Sequence, residues 1–233
     1  MNTTAIRAII TGVTGMVGEG VLHECLLHPA VEAVLVVGRK PCGVVHPKLT
    51  EIVHGDLSDV SAFAERLMGY NACYFCAGVS SLGLSEEEYT RITHTLTLSF
   101  AKTIGALNPE MTFCYVSGAG TDSTEQGKTM WARVKGRTEN DLAKLPFKQF
   151  YAFRPGFMNP TPGLKNTLAL YKYLAWLYPL AQLFFSNYVS TLGEVGQAMI
   201  NVTLHGAEKH VLEVSDIVIL AKKQEAPVHT TPH

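Results

Sequence analysis

The amino-acid sequence predicts an α/β protein built on a doubly wound parallel sheet, with a small C-terminal lobe. Three observations carry that reading. Short apolar runs alternate with helically spaced stretches from Ile6 to Phe153, and the runs are continuously apolar, the pattern of strands covered on both faces. A glycine-rich turn joins the first run to the first helical stretch. The alternation stops after Arg154, where Pro155, Pro160 and Pro162 break the chain.

The elements follow in order. Ile6–Thr11 ("IRAIIT") is an apolar run ending at glycine, Met16–Leu27 has helical spacing, and Val31–Val37 is a second apolar run ending at Gly38. Together they make one βαβ unit. Further strands are expected at Leu49–Val53, Ala72–Cys76, Thr112–Val116 and Phe150–Phe153, with helices at Ser58–Leu67, Glu86–Leu107 and Lys128–Lys144. Beyond the prolines comes a long apolar helical stretch, Leu168–Phe185, and "HVLEVSDIVILAK" closes the pattern with a late strand and a short helix. The whole is read as a single domain, residues 1–233, with a core over about 1–160 and a variable part over about 161–233.

Composition narrows the function classes. A chain of 233 residues that is 47% hydrophobic and 17% charged buries a sizeable core. The formal net charge is −1, and Lys and Arg are dispersed, so no footprint for a nucleic-acid backbone is present. Five cysteines without framework spacing, and an N-terminus unlike a secretory leader, lead to the expectation of a cytoplasmic protein with reduced thiols. Cys73 and Cys76 form a C-x-x-C, but on a buried strand residues three apart face opposite ways, so no redox pair is expected. The nine histidines lack metal-ligand spacing, and no metal is expected.

"TGVTGMVG" (Thr11–Gly18) sets Gly12, Gly15 and Gly18 three apart between the first strand and the first helix. Glycines there permit a tight turn, close approach of backbone N–H groups to a pyrophosphate, and close helix–sheet packing. Five further landmarks come in order: "HGDLSD" (His54–Asp59), "CAGVSS" (Cys76–Ser81), "YVSGAG" (Tyr115–Gly120), "WARVKG" (Trp131–Gly136) and "FRPGFMNP" (Phe153–Pro160). The set, spanning about residues 5–160, resembles the extended and atypical short-chain dehydrogenase/reductases with their Rossmann-type fold, and among their branches the epimerase-like, Tat-interacting-protein-like reductases most.

The resemblance implies a dinucleotide site. Gly12, Thr14, Gly15, Met16, Val17 and Gly18 would line the pyrophosphate, Asp56 and Leu57 the adenine, and Cys76, Ala77 and Gly78 the ribose. Pro155, Gly156 and Phe157 would pass the nicotinamide. After the second strand an acidic residue would suit NAD, whereas "VVGRKP" presents Arg39 and Lys40, which favours NADP over NAD; two solvated loop charges are the plain alternative.

The family's mechanism has a serine that polarises the carbonyl, a tyrosine that exchanges the proton, and a lysine four residues later that tunes the tyrosine and binds the ribose. Ser117 and Lys135 match, but the tyrosine position holds Trp131. An indole has one N–H donor and does not titrate usefully. Three readings follow. The first is an NADP-dependent oxidoreductase acting on a small, rather apolar carbonyl or alcohol, with its proton from another group. The second is a cofactor-binding sensor without turnover. The third is a sugar-nucleotide-type epimerase. Leu168–Phe185 is expected to cover the pocket or a dimer face, with contact at a membrane surface the alternative, and not to span a membrane; the chain is expected to be a monomer or homodimer.

Overall fold

A computed structural model describes residues 5–166 and 189–223. The chain opens as β1 (Ile6–Thr11), α1 (Met16–Leu27), β2 (Val31–Gly38) and β3 (Leu49–Val53), and continues with β4 (Ala72–Phe75). A helical stretch of α2 (Glu86–Thr90), a π turn (Arg91–Thr95) and α3 (Leu96–Leu107) leads to β5 (Thr112–Val116), α4 (Met130–Leu142) and β6 (Gln149–Arg154). Then come β7 (Phe157–Asn159), β8 (Val189–Thr191), α5 (Leu192–His205), β9 (Val211–Glu213) and α6 (Val214–Ala221).

The main sheet runs β3-β2-β1-β4-β5-β6-β9, and every neighbouring pair is parallel. Its strands are apolar throughout because both faces are covered. Ala8 and Ile10 of β1 and Ala72 and Tyr74 of β4 point into one core, with α1 and α5. Ile9, Cys73 and Phe75 point into the other, with α3. Cys76 packs against the first core and Cys73 belongs to the second, so the C-x-x-C straddles the sheet and forms no pair. From β1 the chain winds outward through β2 and β3; from β4 it winds the other way. The crevice beyond the carboxyl ends of β1 and β4 is therefore the topological switch point.

Two expected helices differ in detail. Ser58–Leu67 is a 3₁₀ segment at Ser61–Leu67, kinked at Phe63 (φ −136°, ψ 24°), and Leu67 is its one buried residue. So short an apolar stripe gives an α-helix little to dock with. Glu86–Leu107 is interrupted by the π turn, whose widened register lets both Tyr89 and the later Leu98, Phe100 and Ile104 reach the interior. The strand expected to end at Cys76 ends at Phe75, where the chain leaves the sheet.

Beyond Arg154 the chain pairs β7 with β8 in a separate two-stranded parallel sheet, and β9 returns to the edge of the main sheet beside β6. A capping box between Thr191 and Glu194 starts α5. Small residues let α5 approach α1 closely: a Cβ on Gly196 would lie 2.6 Å from Cγ of Glu24. The expected apolar helix at Leu168–Phe185 lies outside the described residues; among those described, no helix is long and apolar enough to cross a membrane.

Candidate functional site

Because the main strands are parallel, every loop singled out in the sequence leaves the same edge of the sheet. The Gly12 turn follows β1, Arg39 follows β2, the Asp56 segment follows β3, Cys76 follows β4, Ser117 follows β5 and Pro155 follows β6. Hydrogen bonds knit neighbours together. Ala77 N donates to Thr11 Oγ1 (3.2 Å), His54 N to Gly38 O (2.8 Å), Ser117 N to Phe153 O (2.9 Å) and Ala119 N to Pro155 O (2.9 Å).

The three glycines of the first turn have different duties. Gly12 has φ 72°, and a Cβ there would lie 2.5 Å from the backbone of Cys76 and Ala77. On Gly18 a Cβ would meet Gly12 O at 2.2 Å. These two are required by the fold itself. Gly15, exposed at the N-cap of α1, would bring a Cβ no nearer than 3.4 Å to any protein atom, and it supplies no side-chain cap. Its open face lies beside the uncapped N–H groups and positive dipole end of α1, an arrangement that fits a pyrophosphate. Thr14 is exposed, Val17 half-buried and Met16 buried, so Met16 serves the core as well as the turn.

At the end of β2, Arg39 and Lys40 are exposed. Asp56 is exposed and accepts from Ser58 N (2.8 Å) and Ser58 Oγ (2.7 Å), bonds that hold its carboxyl below the ordinary range. Leu57 turns inward and packs with the second core. Cys76 and Ala77 are half-buried and Gly78 is exposed, while Pro155 is buried with Gly156 and Phe157 half-buried behind it.

Ser117, Trp131 and Lys135 come together around α4. The Lys135 ammonium donates to the backbone carbonyl of Ser117. Burial lowers its pKa to about 8, opposed by the negative charge of Glu139. The Trp131 indole is half-buried and lies over Gly120, whose φ is 85°; a Cβ there would sit 3.6 Å from the ring. The Ser117 hydroxyl, however, is committed. It donates to Glu139 Oε1 at 2.5 Å and also approaches Phe153 O at 3.1 Å.

Glu139 and Arg154 form the part of this cluster that the sequence reading passed over. Glu139 is 2% exposed and Arg154 8%. Arg154 donates through Nε to Glu139 Oε1 (3.1 Å) and through Nη2 to Oε2 (2.5 Å), and it reaches Glu213 and Ser123 as well. One signal was available: Glu139 stands four residues after Lys135, on the same face of the helix. Glu19 was also missed. Its carboxylate accepts from the backbone N–H groups of Lys165 (2.8 Å) and Asn166 (2.7 Å), tying the segment after β7 to the first turn of α1. No local pattern marks that long-range bond. Among the described residues, no cluster of metal-ligating side chains occurs.

Comparison with known proteins agrees with this fold. The model of the NAD dependent epimerase/dehydratase family matches residues 8–139. A mitochondrial Fmp52-1 protein of Scheffersomyces stipitis is 26% identical over 210 residues, covering 88% of this chain and 91% of that protein. A mitochondrial fmp52-1 protein of Aspergillus oryzae is 28% identical over 155 residues, and the match spans 64% of each chain, just under two thirds of the relative. Among solved structures, a double mutant of DesIV, a dTDP-glucose 4,6-dehydratase from Streptomyces venezuelae, with NAD and DAU bound, superposes with a TM-score of 0.65 at 16% identity, over 90% of this chain and 75% of that one. At that identity the likeness is one of fold. The names of the fungal relatives overturn the expectation of a cytoplasmic protein. That expectation rested on the lack of a secretory leader and on cysteine usage, which separate secreted proteins from internal ones and do not distinguish internal compartments.

Proposed function

The chain belongs to the NAD dependent epimerase/dehydratase family, and from that membership we propose that it binds NADP(H) at the switch-point crevice and reduces or oxidises a small, rather apolar carbonyl or alcohol. The observation that carries the reading is Gly15: of the three glycines in the first turn, it is the one whose missing side chain serves no protein neighbour. Arg39 and Lys40, exposed at the end of β2, suit the 2′-phosphate of NADP. When bound, the nicotinamide supplies or accepts the hydride.

The chain's own task is then to orient the substrate and handle one proton. Hydride addition to a carbonyl carbon breaks the π bond and leaves the electron pair on oxygen, which must be protonated. Trp131 has no acid to give, and the Ser117 proton is held by Glu139. Tyr115 and Tyr151, the nearest described tyrosines along the chain, are buried in the interior. Lys135 remains: an ammonium whose pKa is lowered to about 8 can give up a proton near neutral pH, directly or through a water it holds.

The same commitment of Ser117, together with Trp131, favours a second reading, an NADP(H)-binding sensor without turnover. Fluorescence titration of the purified protein with NADPH and NADH, followed by assay of NADPH oxidation over a panel of aldehydes, ketones and quinones, separates the two. Turnover supports the enzyme; tight binding without turnover supports the sensor; absence of binding removes both.

A further inference from the structure

We propose that Glu139 is the positioning residue of this site: its buried carboxylate holds the Ser117 segment on which Lys135 docks and serves as the lysine's counter-charge. The inference rests on the reading of Lys135 as a site group.

The geometry runs through one side of α4. Lys135 and Glu139 stand four residues apart, so both reach the end of β5 from the same helical face. Lys135 binds the backbone carbonyl of Ser117, and Glu139 binds the hydroxyl of that same residue at 2.5 Å. The two ends of Ser117 are thus gripped by one helix, and the lysine cannot keep its anchor if the serine shifts. Glu139 is itself fixed by Arg154, which approaches both carboxylate oxygens from β6. Arg154 is anchored in turn by Glu213 at the end of β9 (3.1 Å) and by Ser123 of the loop before α4 (2.5 Å).

The charges also balance. Lys135 and Arg154 are cations, and Glu139 and Glu213 are their two anions. From β5, the phenol of Tyr115 is kept protonated chiefly by its burial, with Tyr89 and Glu139 adding to the effect. Elsewhere around α4 the charges pair among themselves: Arg133 with Glu86 of α2 at 2.7 Å, and Asp141 with His94 of the π turn at 2.8 Å. Glu139 is therefore the anion that answers Lys135 in the interior. In this arrangement Ser117 links the lysine to its counter-charge and is not a free donor toward a substrate.

The test reads Lys135 directly. Its acylation by an N-hydroxysuccinimide ester is followed by mass spectrometry of the Lys135 peptide across neutral and alkaline pH, with no cofactor present. Native protein should show a midpoint near 8. Glu139→Gln should lower it by roughly 1 pH unit or more, since an opposing charge close by has been lost. Ser117→Ala removes one hydroxyl and leaves the Glu139–Arg154 pair intact, so it keeps the fold; Lys135 should then acylate several-fold faster at fixed pH, and Ser117→Thr should restore the native rate. A native midpoint in folded Glu139→Gln, or a native acylation rate in Ser117→Ala, overturns the proposal. If Glu139→Gln does not fold, the serine pair decides. NADPH titration of native protein is scored separately: failure to bind sinks the functional reading and leaves the lysine result standing, whereas binding with an unmoved lysine sinks this inference alone.

Discussion

Gly15 is the residue at which the proposed cofactor binding can be tested apart from folding. Its φ of −106° is open to any side chain, and a Cβ there meets no protein atom closer than 3.4 Å. Gly15→Val should therefore fold with a native circular dichroism spectrum and lose NADPH binding in a fluorescence titration. Gly12, at φ 72° and with a Cβ clash at 2.5 Å, would fail in folding first, so it cannot serve as the same probe. Arg39 gives the second prediction. It is exposed, so Arg39→Ala should cost little stability while weakening NADPH about tenfold or more and NADH hardly at all, as loss of a charge-assisted phosphate contact requires. Equal loss for both cofactors would remove Arg39 from the phosphate site. The third concerns Trp131. Replacing the indole over Gly120 by a phenol, Trp131→Tyr, puts an acid next to a lysine ammonium, which favours the phenolate. NADPH-dependent reduction of generic carbonyls should appear or rise, and Lys135→Ala in the same background should abolish it. A native enzyme already active at ordinary rates and indifferent to this change would place the proton donor elsewhere.

Between elements, the decisive contact is α4 against the loop that brings Ser117 to it. Gly136 has the backbone of that loop directly on its Cα: a Cβ would lie 1.8 Å from Asp122 O. The loop is held there by Asp122 N donating to Ala132 O at 3.1 Å and by the Asp122 side chain accepting from Thr124 and Gly127. A methyl group cannot be absorbed by rotation of a neighbour, because the neighbour is main chain. Gly136→Ala should destabilise by about 2–3 kcal/mol, read as a fall in the urea midpoint at unchanged slope. It should also loosen Lys135, one position earlier on the helix. A native midpoint would mean that the loop shifts freely, and the rigidity ascribed to the Ser117 segment would be lost with it.

For the whole molecule, the interior predicts a response to alkali. Cys25, Cys73 and Cys114 are buried and Cys76 is half-buried, and desolvation raises each thiol above its ordinary 9.0, Cys76 to about 12. A folded-state pKa above the unfolded value stabilises fully below pH 9 and is lost as pH climbs toward 12. Lys135 acts in the opposite sense. Its folded pKa of about 8 lies below the ordinary 10.5, so the unfolded chain binds the extra proton and stability rises with pH across that window. Four thiols outweigh one amine. The urea midpoint should therefore be flat to slightly rising just above pH 8 and fall steadily beyond 9, and native protein should leave the buried Cys25, Cys73 and Cys114 unreactive toward a disulfide reagent until it unfolds. Fast labelling of these three in native protein would contradict the packing described.

The sequence by itself determined the layered α/β architecture, because continuous apolar runs such as Ala72–Phe75 are stable only when helices cover both faces, and that requirement is local to the pattern. It likewise determined where the loops of the crevice begin, since parallel strands deliver all their carboxyl ends to one edge. Trp131 and Lys135 were legible as a pair from their spacing alone. The partners were not. That Ser117 gives its proton to Glu139, that Arg154 from another strand secures that carboxylate, and that Glu19 binds a segment 146 residues away were decided by tertiary structure. The reason is physical: a hydrogen bond or ion pair depends on where two side chains stand in space, and each of these partners sits on an element whose position only the packed sheet defines.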